Sequence, residues 1–174
     1  TFGYIYSRLT NPTVSALEEK VAALEDGRGA VACSTGHAAQ MLAMYVLINP
    51  GDNFVASRNL YGGSITQFSH AFKKFGWYVN FVDPHDPENF RSAIDADTKA
   101  IFIEVLANPG GIILDLEPIA AIANEAGIPL IVDNTMATPY LCRPFEWGAD
   151  LITHSMTKFL GGHGTSMGGI VVES

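Results

Sequence analysis

Cysteine is scarce in this chain: Cys33 and Cys142 are the only two in 174 residues. Two thiols make no disulfide framework, and the expected setting is a reducing compartment, the cytoplasm. Long apolar runs are absent as well. None approaches the ~20 residues that a membrane-crossing helix requires, and the opening residues do not read as a secretory signal. Cations are outnumbered, with 10 Lys and Arg against 18 Asp and Glu, for a net charge of −8. That balance argues against nucleic acid or an anionic membrane as the main partner. An anionic small ligand would need a locally built site. Internal repeats, low-complexity tracts and linkers are missing too. At 48% hydrophobic and 16% charged, the chain reads as globular, with enough residues for a real core. It opens at Thr1 without a methionine and stops on GGIVVES, which is read as a piece of a longer protein.

Several motif classes are also missing. No lysine precedes Ser or Thr, so there is no Walker-type phosphate loop. GRGAVA (27–32) has the spacing G-x-G-x-x-A. It precedes a strand instead of following one, and the dinucleotide reading fails in that context. His37, His70, His85, His154 and His163 show no HExxH or Cys/His ligand spacing, and no metal is expected.

What is present is a repeated strand–turn–helix pattern. Strands are expected at AVACS (30–34), NFVAS (53–57), YVNFVD (78–83), KAIFIEVL (99–106), PLIVDN (129–134), LITHS (151–155) and GGIVVES (168–174). Several are continuous apolar runs, as in strands covered on both faces. Between them lie helical patterns. Asn11 and Pro12 read as N-cap and first helical position, Val14, Leu17, Val21 and Leu24 form an apolar stripe, and Gly27 ends the helix. Asp86-Pro87 opens another helix, and Glu117-Pro118 a third that ends at Gly127. Strands alternating with helices imply a mainly parallel α/β sheet.

The polar residues gather where apolar runs stop. Ser34-Thr35-Gly36-His37 follows the first, Ser57 to Gly63 with Tyr61 the second, and Asn108 the fourth. Asp133-Asn134 ends the fifth, and His154-Ser155 followed by Thr157-Lys158 ends the sixth. Open parallel sheets bind ligands outside the carboxyl ends of their strands, so distant residues are delivered to one edge. STGHAAQ (34–40) suits an anion, because a small-residue turn there opens a helix whose free N–H groups point outward. Singly, Lys158 could be solvated, Asp133 a turn residue, Tyr61 a core-edge aromatic, Arg8 a surface charge and Cys33 core. Together, a strand-end carboxylate, an anion turn and a lysine on the Gly-rich loop SMTKFLGGHG meet the needs of pyridoxal phosphate. That cofactor takes an amine, a carboxylate at its ring nitrogen and a phosphate site.

YSRLTNPT (6–13), NLYGG (59–63), VDNTMATPYLCRP (132–144) and HSMTKFLGGHG (154–164) resemble the Cys/Met-metabolism family of pyridoxal-phosphate enzymes, through essentially the whole chain. The resemblance implies the aspartate-aminotransferase-like fold, fold-type I. The seven strands would be the whole sheet of its large domain, with the last strand antiparallel and the C-terminal small domain absent. It also divides the chain into an N-terminal segment and first helix (1–26) that contact a partner subunit, and a cofactor domain (27–174).

The resemblance further implies residue roles. Lys158 carries the cofactor and shuttles protons, Asp133 pairs with the ring nitrogen, Tyr61 stacks on the ring and acts in acid–base steps, and Asn108 lies near the ring hydroxyl. Gly36 and His37 give backbone N–H groups to the phosphate, Ser155 and Thr157 give hydroxyls, and Tyr6 and Arg8 reach the phosphate of the neighbouring subunit in a homodimer or homotetramer. The implied reaction is γ-replacement on an activated homoserine ester, O-acetylhomoserine, with sulfide or a thiol. A γ-synthase or γ-lyase on the same scaffold is the alternative, and a non-catalytic module that only folds and self-associates is another. Methionine γ-lyases of the family resemble YGC at the NLYGG turn, whereas this chain has Gly63, which favours replacement.

Overall fold

The structure, a computed structural model of the chain, describes residues 3–174. Helix α1 (Pro12–Glu25) leads into β1 (Gly29–Cys33), α2 (Gly36–Tyr45), β2 (Asn53–Ser57) and α3 (Gly62–Thr66). A π-helical turn (Gln67–Ala71) and a 3₁₀ turn (Phe72–Phe75) extend α3 before β3 (Tyr78–Val82). Then come α4 (Glu88–Ala93), β4 (Thr98–Glu104), α5 (Leu116–Ala126), β5 (Leu130–Asp133), α6 (Thr138–Leu141), β6 (Leu151–Ser155) and β7 (Gly169–Glu173). All seven expected strands form one sheet, ordered β1-β7-β6-β5-β4-β2-β3. β7 runs antiparallel to both neighbours, and the other pairings are parallel.

Apolar residues cover both faces, which is why the strands read as continuous runs. On one side Val55, Ile101, Ile103 and Val132 pack against α4 and α5 residues such as Phe90, Ile119 and Ile122. On the other, Phe54, Phe102 and Ile131 pack with Met44 of α2 and with Phe68, Phe72 and Trp77. Phe68 meets Phe54 and Phe102 edge-on at centroid distances of 5.1 and 5.0 Å. Ring pairs in that arrangement attract beyond their area burial. This aromatic cluster explains the helix at 62–75, which sequence propensity missed behind its Gly-Gly start.

Helix α1 begins as expected: the Asn11 side chain accepts from the N–H groups of Thr13 and Val14, with Pro12 following. Its end differs. The left-handed residue is Asp26, φ 62°, rather than Gly27. Asp tolerates that conformation better than most residues do. Its docked face differs too. Val14, Leu17 and Leu24 are 40–47% exposed, and of the apolar stripe only Val21 is buried. The helix instead seats Val21, Ala22 and Glu25, while Glu18 accepts the N–H of Ala32 at 2.8 Å. Two carboxylates at i and i+7 thus mark the inner face, a period that an apolar count overlooks. Among the described residues, no helix is long and apolar enough to cross a membrane.

Candidate active site

β1, β2, β4, β5 and β6 all end at one edge of the sheet, and the site is built there. After β1, Thr35 is extended and caps α2, its hydroxyl accepting the N–H of Ala38 at 3.0 Å. The N–H groups of Gly36 and His37, in the first turn, have no intrahelical acceptor. With the helix dipole they make a site for an anion. A Cβ on Gly36 would stand 2.6 Å from Cβ of Ser155 and 3.2 Å from its hydroxyl oxygen. Glycine therefore lets the helix start press against the end of β6, with the Ser155 hydroxyl beside it.

Asp133 ends β5 and is 8% exposed. Its two oxygens have separate donors: Gln40 Nε2 at 3.1 Å and the backbone N–H of Thr135 at 3.0 Å. Gln40 Nε2 also donates to Ser64 Oγ at 2.9 Å. A buried amide thus orients the carboxylate from one helical turn behind the anion site. Glu104 ends β4 and pairs in register with Asp133. It accepts the N–H of Tyr61 at 2.7 Å and that of Asn108 at 3.1 Å. Burial, and then the Asp133 charge, push the Glu104 carboxyl up to about 7 against the pull of those two N–H groups.

Tyr61 caps α3 and is half-exposed, its ring stacked on His37 at 6.0 Å and 28°. A Cβ on Gly63 would lie 2.4 Å from Cε1 of Tyr61 and 2.9 Å from two His37 ring atoms. The bare backbone at Gly63 is what lets the two rings lie there. Beyond β6, Thr157 is occupied: its hydroxyl accepts from and donates to the backbone of Gly168 at 3.1 and 3.3 Å. Lys158 follows in a turn closed by its N–H to the Ser155 carbonyl at 3.1 Å. Among the described residues its amine makes no ion pair.

One cleft of about 260 Å³ collects Gly36, His37, Tyr61, Asn108, Asp133, Ser155, Thr157 and Lys158, room for a small organic group rather than a macromolecule. Tyr6 and Arg8 do not line it. They lie on the exposed N-terminal segment, with the Arg8 guanidinium 5.0 Å over the Tyr6 ring. Sequence reasoning gave no role to Gln40, Ser64, Glu104 or Thr135, which line the cleft with defined contacts. None of the four had a signal beyond its neighbours. The donor set fits pyridoxal phosphate: an unpaired amine, a buried carboxylate held by two donors, and a helix N-terminus whose glycine leaves space for an anion.

Residues 1–174 match the model of the Cys/Met metabolism PLP-dependent enzymes, and the chain belongs to that family. It is 49% identical over 172 residues to an O-acetyl-L-homoserine sulfhydrylase of Leptospira meyeri. It is 50% identical over 173 residues to a homocysteine/cysteine synthase of Saccharomyces cerevisiae. Each comparison covers 99% of this chain and 39% of the relative, so the chain spans about two fifths of the length of these curated relatives. A solved Campylobacter jejuni structure, assigned as an O-acetylhomoserine (thiol)-lyase, superposes with a TM-score of 0.96 at 42% identity, over 99% of this chain and 43% of its own. That structure contains N′-pyridoxyl-lysine-5′-monophosphate. The architecture is that of the fold-type I large domain.

Proposed function

We propose that the protein exchanges the γ-acetoxy group of O-acetylhomoserine for sulfur, releasing acetate and giving homocysteine from sulfide or methionine from methanethiol. The observation that carries this is the convergence of Lys158, Asp133 and the α2 N-terminus on one cleft, in a chain about half identical to an O-acetyl-L-homoserine sulfhydrylase and a homocysteine/cysteine synthase. Pyridoxal phosphate, when bound, supplies an electron sink for the substrate α-carbon. Lys158 is the amine that holds it and the base that moves protons at Nζ. Asp133, fixed by Gln40 and the Thr135 N–H, keeps a pyridine-type nitrogen protonated. The N–H groups of Gly36 and His37 and the Ser155 hydroxyl receive the phosphate. Thr157 serves mainly to tie the lysine loop to Gly168. Tyr61 and Asn108, which line the cleft, would help to hold the cofactor, Tyr61 by stacking on its ring and Asn108 by binding its ring hydroxyl.

A second copy of the chain completes the site in this reading. Tyr4, Ile5, Tyr6, Leu9, Val14, Leu17 and Leu24 leave apolar surface exposed between Tyr4 and Leu24, which suits a dimer or tetramer contact. From there Arg8, a planar bidentate donor, reaches the partner's phosphate. Two free cysteines suit a cytoplasmic setting. The test is product identification with sulfide, methanethiol and cysteine offered together to the full-length protein and O-acetylhomoserine. Sulfide or methanethiol products are expected. Cystathionine as the main product, or 2-oxobutanoate without sulfur incorporation, would overturn the reading.

A further inference from the structure

We infer that Glu104 is a positioning residue: its one carboxylate clamps, through the N–H groups of Tyr61 and Asn108, both loops that overhang the cleft. The two bonds leave different oxygens, Oε1 to Tyr61 at 2.7 Å and Oε2 to Asn108 at 3.1 Å. The loops they hold lie 47 positions apart in the chain. One follows β2 and presents the Tyr61 ring; the other follows β4 and presents Asn108. Neither N–H has a backbone acceptor among the turn and loop bonds of the described residues. Glu104, the register partner of Asp133, is therefore the one side chain to which both N–H groups are tied.

The chemistry explains why this group is a carboxylate. Two converging N–H donors require a group with an acceptor oxygen at each end, and a carboxyl has one at both. Glutamine would accept at one oxygen and turn its own NH₂ against the second donor. The arrangement is costly, since Glu104 is 5% exposed and adjacent to another carboxylate. A group kept at that cost, with no cation beside it, is held by what it orders. The other titratable groups lining the cleft are His37 on α2, Tyr61 before α3, Asp133 on β5 and Lys158 after β6. None of their side chains is hydrogen-bonded to Glu104, whose two partners are the backbone N–H groups of Tyr61 and Asn108.

The inference rests on the cofactor reading of this cleft, and its test separates the two. Hydrogen exchange of the full-length protein without cofactor is compared between wild type and Glu104→Gln. Residues 59–64 and 107–112 should lose protection by roughly tenfold or more, as expected where a buried N–H is left without its acceptor, and by more than Ile101–Ile103 or Leu130–Val132 do. The variant should also bind pyridoxal phosphate more weakly, and the bound cofactor should show weaker visible circular dichroism, because its ring loses a fixed neighbour. A uniform loss across the chain would make Glu104 merely structural. Unchanged loops with lost turnover would make it a reacting group. Either result overturns the clamp. Should the variant not fold, residue-resolved exchange of wild type decides. The Tyr61 and Asn108 amides must both be protected, and fast exchange of either overturns it. Borohydride labelling tests the cofactor reading separately. Loosened loops in the variant with no label on wild-type Lys158 would sink that reading and leave the clamp standing.

Discussion

Glu25, in the last turn of α1, and His154, next to the end of β6, meet 2.5 Å apart with no solvent access to either side chain. The Asn134 amide adds a bond to the same carboxylate oxygen at 2.9 Å. Glu25 thus ties the N-terminal helix, across more than a hundred positions, to the strand ends that carry Asp133 and Ser155. Removing one member strands the others in an apolar setting. Glu25→Ala should lower unfolding free energy by about 3–5 kcal/mol, read from urea denaturation. A change under ~1 kcal/mol would show that the network is not coupled to the fold.

Asp133→Asn should keep cofactor binding and lose most turnover. The amide still accepts one bond but cannot hold a proton on the ring nitrogen through a charge. A charge-assisted bond is worth ~1.5–3 kcal/mol, so a loss in kcat of roughly tenfold or more is expected in steady-state assays. A near-silent variant would contradict the role given to Asp133.

Glu104 gives the protein a pH-dependent term. Its carboxyl is raised from the ordinary 4.5 to about 7 in the folded state. The folded protein therefore binds that proton more tightly than the unfolded chain does. Stability from this group is complete below pH 4.5 and is lost as pH rises through about 7. Unfolding free energy of wild type relative to Glu104→Gln should fall across that window. Denaturation profiles that run parallel from pH 4.5 to 8 would contradict the assignment.

The reach of the sequence differed by kind of residue. Lys158, Asp133, Ser155 and the 34–37 turn were legible because each directly follows an apolar strand, and a parallel sheet sends every such end to one edge. The antiparallel β7 came from the family resemblance, not from periodicity, and the order of the strands was not read from the sequence. Glu104 was hidden inside the run KAIFIEVL, where it read as part of a strand continuing to Leu106. Gln40 was hidden one turn into a helix. Both matter through bonds to groups 4 to 93 positions away, which no local pattern encodes. The α1 stripe misled because Val14, Leu17 and Leu24 point away from this chain's own core.

Arg8 lies outside the cleft of its own chain, and the account has it act across a subunit contact. Arg8→Ala and Lys158→Ala proteins should each be poorly active in full-length form. Mixed dimers hold one site with both residues intact and should regain part of the activity. Verified mixed dimers without recovery would place Arg8 off the site or within its own subunit.

The central claim is that Lys158 carries the cofactor, and borohydride reduction of the pyridoxal-phosphate-loaded protein followed by peptide mapping tests it most directly. The account predicts a pyridoxyl group on the peptide containing Lys158 and on no other. Label on Lys20, Lys73, Lys74 or Lys99, the remaining lysines of the chain, would contradict it.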